Sequence, residues 1–212
     1  MFDIEYRGGN TIIITTKRSS LVIDANRSIF GHKDIIAKDG IELATEERLL
    51  TNSPDYRISL EGPGEYEVSD FVIRGMAARR NIDHDETSLN SCIYTIAIDN
   101  IRIAILGNIN PNLSESQIDD LGAVDILIVP VGGNGYTLDA SSATKLTRII
   151  DPKIVIPVHY RDSDIQYEVP QDDIQAFIDE LKAPLREDKK LKIKSELSLP
   201  DSLEVFKLAF SK

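Results

Sequence analysis

Histidine serves more often than any other side chain as a metal ligand or a general base near neutral pH, and this chain carries three. His159 closes the run KIVIPVHY, Lys153 to Tyr160, a branched apolar stretch that reads as a buried strand with an imidazole at its mouth. His84 lies in NIDHDETS between Asp83 and Asp85, with Glu86 beyond. Those carboxylates would raise local affinity for a cation, and an acidic solvated loop explains them equally well. His32, in FGHKD, reads as a surface or turn residue. The loop PVGGNGY, Pro130 to Tyr136, sets Gly132, Gly133 and Gly135 at a strand end. Backbone N–H groups in such a loop can cradle an anion, but the lysine and Ser/Thr of a P-loop and the dinucleotide-binding spacing are both missing. Ser91 and Ser141 have no histidine at a spacing that suggests a triad. The ordinary state of a histidine at a strand end is a hydrogen bond, so His159 needs partners before it can do chemistry.

The composition narrows the class. At 212 residues, 42% hydrophobic and 28% charged, the chain is long enough to bury a sizeable core, and no shift in composition marks a linker, so a single domain over 1–212 is expected. A formal charge of −11 repels nucleic acid and anionic membrane surfaces alike, and neither is expected as a partner. Cys92 is the only cysteine, which excludes an internal disulfide and a cysteine-rich zinc site and suits a cytoplasmic location. The opening MFDIEYRGGN reads as a strand and turn, and no stretch reaches the roughly 18 apolar residues a membrane span needs.

The elements come in two strand blocks. FDIEY, TIIITT and SLVID alternate or run apolar between turn residues and form a meander. IELATEERLL has the leucines for a helical turn or two without a spacing that decides it. EGPG connects extended segments, Ser69 and Asp70 turn between EYEV and FVIRGM, and Asp99 and Asn100 turn between SCIYTIAI and IRIAILGN. Helices enter afterwards. Ser114 with Gln117 forms a capping box closed by Gly122, Asp139 caps ASSATKLTRII, and Ile174, Phe177, Ile178 and Leu181 give a helical stripe from about Pro170 to Leu181. VDILIVPV, nearly all apolar, suits a strand covered on both faces. KLKIK and LEVFKLAF, within about 190–209, are strands expected to join a sheet edge of the same domain.

The opening strands, EGPGEYEV, IRIAILGN before a short helix ending in DDLGAVDILIVPVGG, YTLDASSATKLTRIIDPKIVIPVHY and the lysine-bearing last strands together resemble the metallo-beta-lactamase fold superfamily, and look closest to its small UlaG-like branch of metal-dependent hydrolases. The resemblance covers nearly the whole chain. It implies an α+β, four-layer αββα sandwich, with a metal site at one edge between two mixed sheets. The family's histidine-rich loop, His-x-His-x-Asp-His, falls on one of two stretches. On TEERLLT its positions read Glu46, Arg48, Leu50 and Thr51; on TNSPDYR they read Asn52, Pro54, Tyr56 and Arg57. The next family histidine corresponds to Arg80 and the bridging aspartate to Asn108, which leaves His159 as the one ligand still in place.

Zinc sites use three or four protein ligands, so the resemblance implies a catalytically degenerate, pseudoenzyme-like member with no metal cofactor, acting in ligand binding or structure, with self-association into a homo-oligomer as one route. A guanidinium beside a cation costs on the order of 4 kcal/mol per unit charge pair at about 4 Å and an effective dielectric of about 20. An arginine at a ligand position therefore replaces the ion and neutralises carboxylates such as Asp24 or Asp139. The ligand-binding set expected on this reading is His159, Asn108, Arg80, Gly132 and Gly133, around a small anionic ligand. The alternative is a hydrolase of phosphoesters, lactones or amides holding zinc or manganese on His84, His159, Asp24, Asp83 and Asp85.

Overall fold

Phe2, Ile4 and Tyr6 are buried and Asp3 and Glu5 partly exposed along Phe2–Tyr6 (β1), the alternation of a strand with one face on a core. The computed structural model describes residues 1–85 and 87–211, so Glu86 lies outside the described residues. Ile12–Thr15 (β2) and Ser20–Ile23 (β3) continue the meander antiparallel, as their alternation implies. IELATEERLL forms no α-helix. Ile41–Ala44 is a strand (β4), buried at every position between β3 and Ile58–Glu61 (β5), and Glu47–Leu49 is a single 3₁₀ turn. Ladder bonds on both sides of β4 outweigh a leucine spacing that was equivocal for helix.

Gly62 and Pro63 carry the chain into a second sheet, opened by Gly64–Val68 (β6), Phe71–Ala78 (β7), Ser91–Ile98 (β8) and Ile101–Ile105 (β9). At the Asp-Asn turn only Asp99 takes a left-handed conformation, with φ 52°. Parallel crossover units follow: Glu115–Leu121 (α1), Ile126–Pro130 (β10), Ala140–Ile150 (α2), Ile154–Val158 (β11) and Ile174–Leu181 (α3). Ser114 and Gln117 make the capping box, and Asp139 accepts from the Ser142 N–H. The last helix starts at Ile174 and not near Pro170, because Asp173 caps it and the backbone before it is tied elsewhere: Asp172 N–H donates to Gly132 C=O at 2.7 Å.

Leu185–Asp188 (β12), Leu191–Ile193 (β13) and Glu204–Leu208 (β14) complete two mixed sheets, in the orders β13-β1-β2-β3-β4-β5 and β12-β14-β11-β10-β9-β8-β7-β6. The two carboxyl-terminal strands expected from sequence go to different sheets. β13 joins the edge beside β1, whereas β14 lies between β11 and a further strand, β12, which the sequence did not announce. Every β12 side chain is exposed, and Arg186 and Glu187 pair with Glu204 and Lys207, so charge guards that edge. One apolar core draws on both sheets and the helices. Among the described residues, all three α-helices fall after residue 114. The far face of the six-stranded sheet is covered by irregular chain, where Val22, Ala25 and Tyr56 form a small cluster with Ile35 and Ala37. The result is an α+β sandwich whose outer layer on that side is irregular.

Candidate functional site

The carboxyl ends of β3, β4, β9, β10 and β11 deliver Asp24, Thr45 and Glu46, Asn108, the glycine loop and His159 to one edge of the sandwich. Strand-end edges of this kind are where mixed α/β sheets place ligands. Backbone bonds tie them together: Asn81 N–H to Asn108 C=O at 2.9 Å, Cys92 N–H to Thr45 C=O at 2.8 Å, and His159 N–H to Gly9 C=O at 2.8 Å. Asp24 and His159 both hold left-handed backbone, at φ 51° and 50°. For non-glycine residues such conformations cost on the order of 1–3 kcal/mol and persist where the surroundings over-determine them.

Glu46 is the hub of the edge. Its side chain is only 2% exposed, yet Oε2 accepts from Arg48 Nε at 3.0 Å and from Arg80 Nη1 at 3.4 Å, while Oε1 accepts from Asn108 Nδ2 at 3.0 Å. Asn108 in turn accepts from Asn10 Nδ2 at 2.9 Å, giving a buried chain of polarised amides behind the carboxylate. Arg48 also reaches Glu168 and donates to the Tyr136 hydroxyl. Desolvation alone would lower the Arg48 pKa, but Glu46 and Glu168 hold it above its ordinary value. Arg80 makes a two-nitrogen contact with Asp83, which keeps that guanidinium charged and holds the Asp83 carboxyl below its usual range.

Of the two stretches offered for the histidine-rich loop, TEERLLT is the one at this edge, through Glu46 and Arg48. Its Thr51 turns away to bond Glu42. TNSPDYR is corrected to a structural role: Tyr56 packs under the six-stranded sheet with its hydroxyl on Ile35 C=O, and Arg57 precedes β5 at the other end of the strands. The arginines also neutralise a different carboxylate from those expected. Asp24 is buried and bound to Thr45, accepting from its N–H at 2.7 Å and its hydroxyl at 2.8 Å, and Asp139 caps α2. Burial pushes the Asp24 carboxyl up to about 7 against the pull of the Thr45 bonds, and Glu46 adds to the rise. Glu46 escaped recognition as a site residue because a glutamate beside an arginine reads as surface. The available signal was its place, directly after a strand and at the first ligand position.

His159 is 1% exposed and sits among aromatic rings, stacked on Tyr167 at 4.8 Å and flanked by Tyr136 and Phe30 at 5.4 and 5.9 Å. Its Nδ1 is buried and finds no hydrogen-bond partner among the described residues. Burial, with Arg48 adding, pushes its pKa down to about 3. His159 and Asn108 therefore lie at the same edge but face different neighbours.

Gly132 and Gly133 are at the edge, but Gly133 N–H already donates to Leu138 C=O at 3.0 Å, and Arg80 points to Glu46 and Asp83. The expected pocket of Arg80 with both glycine amides is thus not assembled. His84 is exposed, Asp83 is held by Arg80, Asp85 accepts from Thr87, and Asp24 is held by Thr45. Among the described residues no three His, Cys, Asp or Glu side chains are grouped so as to hold a metal ion. What the edge does offer is a cleft of about 310 Å³ lined by Glu46, Glu47, Arg48, Glu61, Arg80 and neighbouring Leu89 and Asn90.

The neutrality of His159 has a measurable signature. A folded pKa near 3 against an ordinary 6.5 means that the unfolded chain takes up a proton which the folded one refuses, so this contribution to stability is full above pH 6.5 and is lost as pH falls toward 3. Urea unfolding of the wild type and a His159→Gln variant at several pH values should show the stability gap between them shifting in the variant's favour by about 1.4 kcal/mol per pH unit below 6.5. A gap independent of pH would show that His159 takes up protons freely.

The family model for the beta-lactamase superfamily domain matches residues 3–159. A Carboxydothermus hydrogenoformans protein named as a metal-dependent hydrolase is 27% identical over 101 residues, 46% of this chain and 44% of its own. A Thermococcus onnurineus protein of the same name is 26% identical over 114 residues, 53% and 50% of the two chains. The matched part thus spans about half the length of these curated relatives. A crystal structure from Thermotoga maritima, described as a zinc-dependent hydrolase candidate of the metallo-beta-lactamase superfamily, superposes with a TM-score of 0.76 over 99% of this chain and 100% of that one, at 17% identity. One from Parabacteroides distasonis, described as a metal-dependent hydrolase candidate, does so with a TM-score of 0.66 over 98% and 94%, at 18% identity. At such identities the superpositions show a common fold.

Proposed function

The chain belongs to the beta-lactamase superfamily domain family, and from that we propose that it is a catalytically degenerate member of the UlaG-like branch, in which an ion cluster of the protein's own side chains takes the place of the metal. The observation that carries this reading is the buried Glu46 carboxylate held by Arg48, Arg80 and Asn108. The donor set does not fit zinc or manganese. A zinc site needs three or four electron-pair donors; here one carboxylate and one amide are within reach of each other, and the amide already donates to the carboxylate. A divalent cation would sit against two guanidinium groups, at on the order of 4 kcal/mol for each unit charge pair at about 4 Å. The role left to the edge is binding at the 310 Å³ cleft. Three glutamates there outnumber two arginines that are already paired, so the cleft favours a polar ligand of mixed charge over the simple anion expected from Arg80.

Metal analysis of protein purified without affinity tag or chelator tests the proposal. The expected content of zinc, iron and manganese is far below one equivalent, and zinc titration should show no saturable heat. Stoichiometric metal that is lost in a His159→Gln variant would overturn it. The names of the relatives favour the alternative, a hydrolase with a rebuilt site. That arrangement, on His84, His159, Asp24, Asp83 and Asp85, requires Asp83 to leave Arg80 and Asp24 to leave Thr45, and the same titration then gives a tight site.

A further inference from the structure

The opposite ends of the same strands carry a feature that the proposed function does not use. Immediately before β3, β4 and β5 the chain makes turns around a cleft of about 330 Å³, whose lining includes Lys17, Arg18, Lys38 and Arg57 against a single acidic residue, Asp39. The chain as a whole has 35 acidic and 24 basic residues. A cleft lined at random would therefore hold more carboxylates than cations, and this one inverts the ratio.

The turns that present these cations are ordered by their own bonds. Arg57 N–H donates to Gly40 C=O at 2.9 Å and Asp39 N–H to Asp55 C=O at 2.8 Å, locking the entries to β4 and β5 together. Thr16 Oγ1 accepts from the N–H groups of Arg18 and Ser19 at 3.2 and 3.1 Å, fixing the β2–β3 turn. Gly40 brings the backbones close, since a Cβ there would meet Ser20 C=O and Ala37 C=O at 2.9 Å each. Arg18 is paired with Asp70 at 2.9 Å, while the side chains of Lys17, Lys38 and Arg57 make no ion pair or hydrogen bond among the described residues. Unpaired like charges gathered around one concavity repel each other, and an oxyanion relieves that repulsion while accepting charge-assisted hydrogen bonds from several donors at once.

We propose that this cleft, at the amino ends of β3, β4 and β5, is a binding site for a phosphate group, free or carried on a small ester, at least roughly 15 Å along the strands from the Glu46 edge. It does not depend on whether that edge holds a metal. The full chain should melt at a higher temperature in potassium phosphate than in potassium chloride of equal ionic strength, and calorimetric titration should give a saturable phosphate affinity. In a Lys38→Gln/Arg57→Gln double variant that affinity should fall by at least about tenfold and the phosphate-specific melting shift should vanish. In chloride the double variant should melt no lower than the wild type, because repulsion has been removed. Lys145→Gln, on the exposed face of α2, should keep the full shift. Glycerol phosphate run in parallel separates the sources: saturation at a lower concentration than inorganic phosphate assigns the ester, the reverse assigns the free ion, and either supports the site. An equal phosphate shift in all three proteins is a general salt effect and would overturn the proposal, as would no shift in the wild type.

Discussion

Glu46→Ala should lower folding stability by about 3 kcal/mol, because it removes the one acceptor shared by Arg48 Nε, Arg80 Nη1 and Asn108 Nδ2, while Arg48 keeps Glu168 and Arg80 keeps Asp83. The full penalty for breaking a buried pair runs to about 5 kcal/mol. Arg48 and Arg80 retain 33% and 24% of their side-chain exposure, so water takes up part of the loss. For a domain of this size the melting temperature should fall by roughly 6–12 °C. Glu46→Gln keeps an acceptor and loses the charge, and should cost less. Urea unfolding of both variants decides the matter. If Glu46→Ala loses under about 1 kcal/mol, the cluster is a surface ornament and the proposed replacement of the metal by arginine loses its physical basis.

Gly132→Ala should be about as damaging for a different reason. The backbone φ at Gly132 is not in the left-handed region, so alanine is conformationally acceptable there; the obstacle is space. A Cβ would run into the His159 carbonyl oxygen and the Gln171 side-chain oxygen. Gln171 can turn aside, but the His159 carbonyl is backbone at a residue already in a left-handed conformation and cannot move without disturbing the strand end. Overpacking costs about 1–3 kcal/mol and occasionally more, and a clash with backbone that cannot turn aside belongs at the upper end. Gly135→Ala is the comparison: nothing lies within 4 Å of its Cβ position, and only its φ of 75° resists substitution. That variant should lose about 1 kcal/mol. Equal losses in the two variants would mean that the close approach of Gly132 to the His159 carbonyl has no energetic weight beyond an ordinary glycine substitution.

These two positions show where the sequence could be read and where it could not. The Gly132–Gly133 pair, the caps at Ser114 and Asp139 and the buried strand before His159 follow from local chemistry, and local chemistry survives folding. Glu46 depends on partners 34 and 62 positions away, which no local pattern reveals. Arginine was expected to neutralise Asp24 or Asp139; Arg48 and Arg80 meet Glu46 instead, because Asp24 satisfies itself on Thr45 and Asp139 caps α2. The second sheet's outermost strand was missed because Leu185–Asp188 is short and mostly charged, the composition of a guarded edge and equally of a loop. β4 was obscured by the opposite effect, since burial on every side removes the alternation that marks a strand.

The placement of β13 beside β1 bears on how the chain reaches this structure. That ladder pairs Phe2 with Ile193, so β1 cannot close its outer edge until the chain has been synthesised as far as Ile193. Topologies dominated by such distant pairings have high contact order and fold slowly. On the ribosome the open side of β1 is exposed to other nascent chains throughout elongation, a setting in which unpaired edges aggregate. Lys190, which in the finished protein pairs with Asp3 at 2.8 Å, arrives with the strand that ends that exposure.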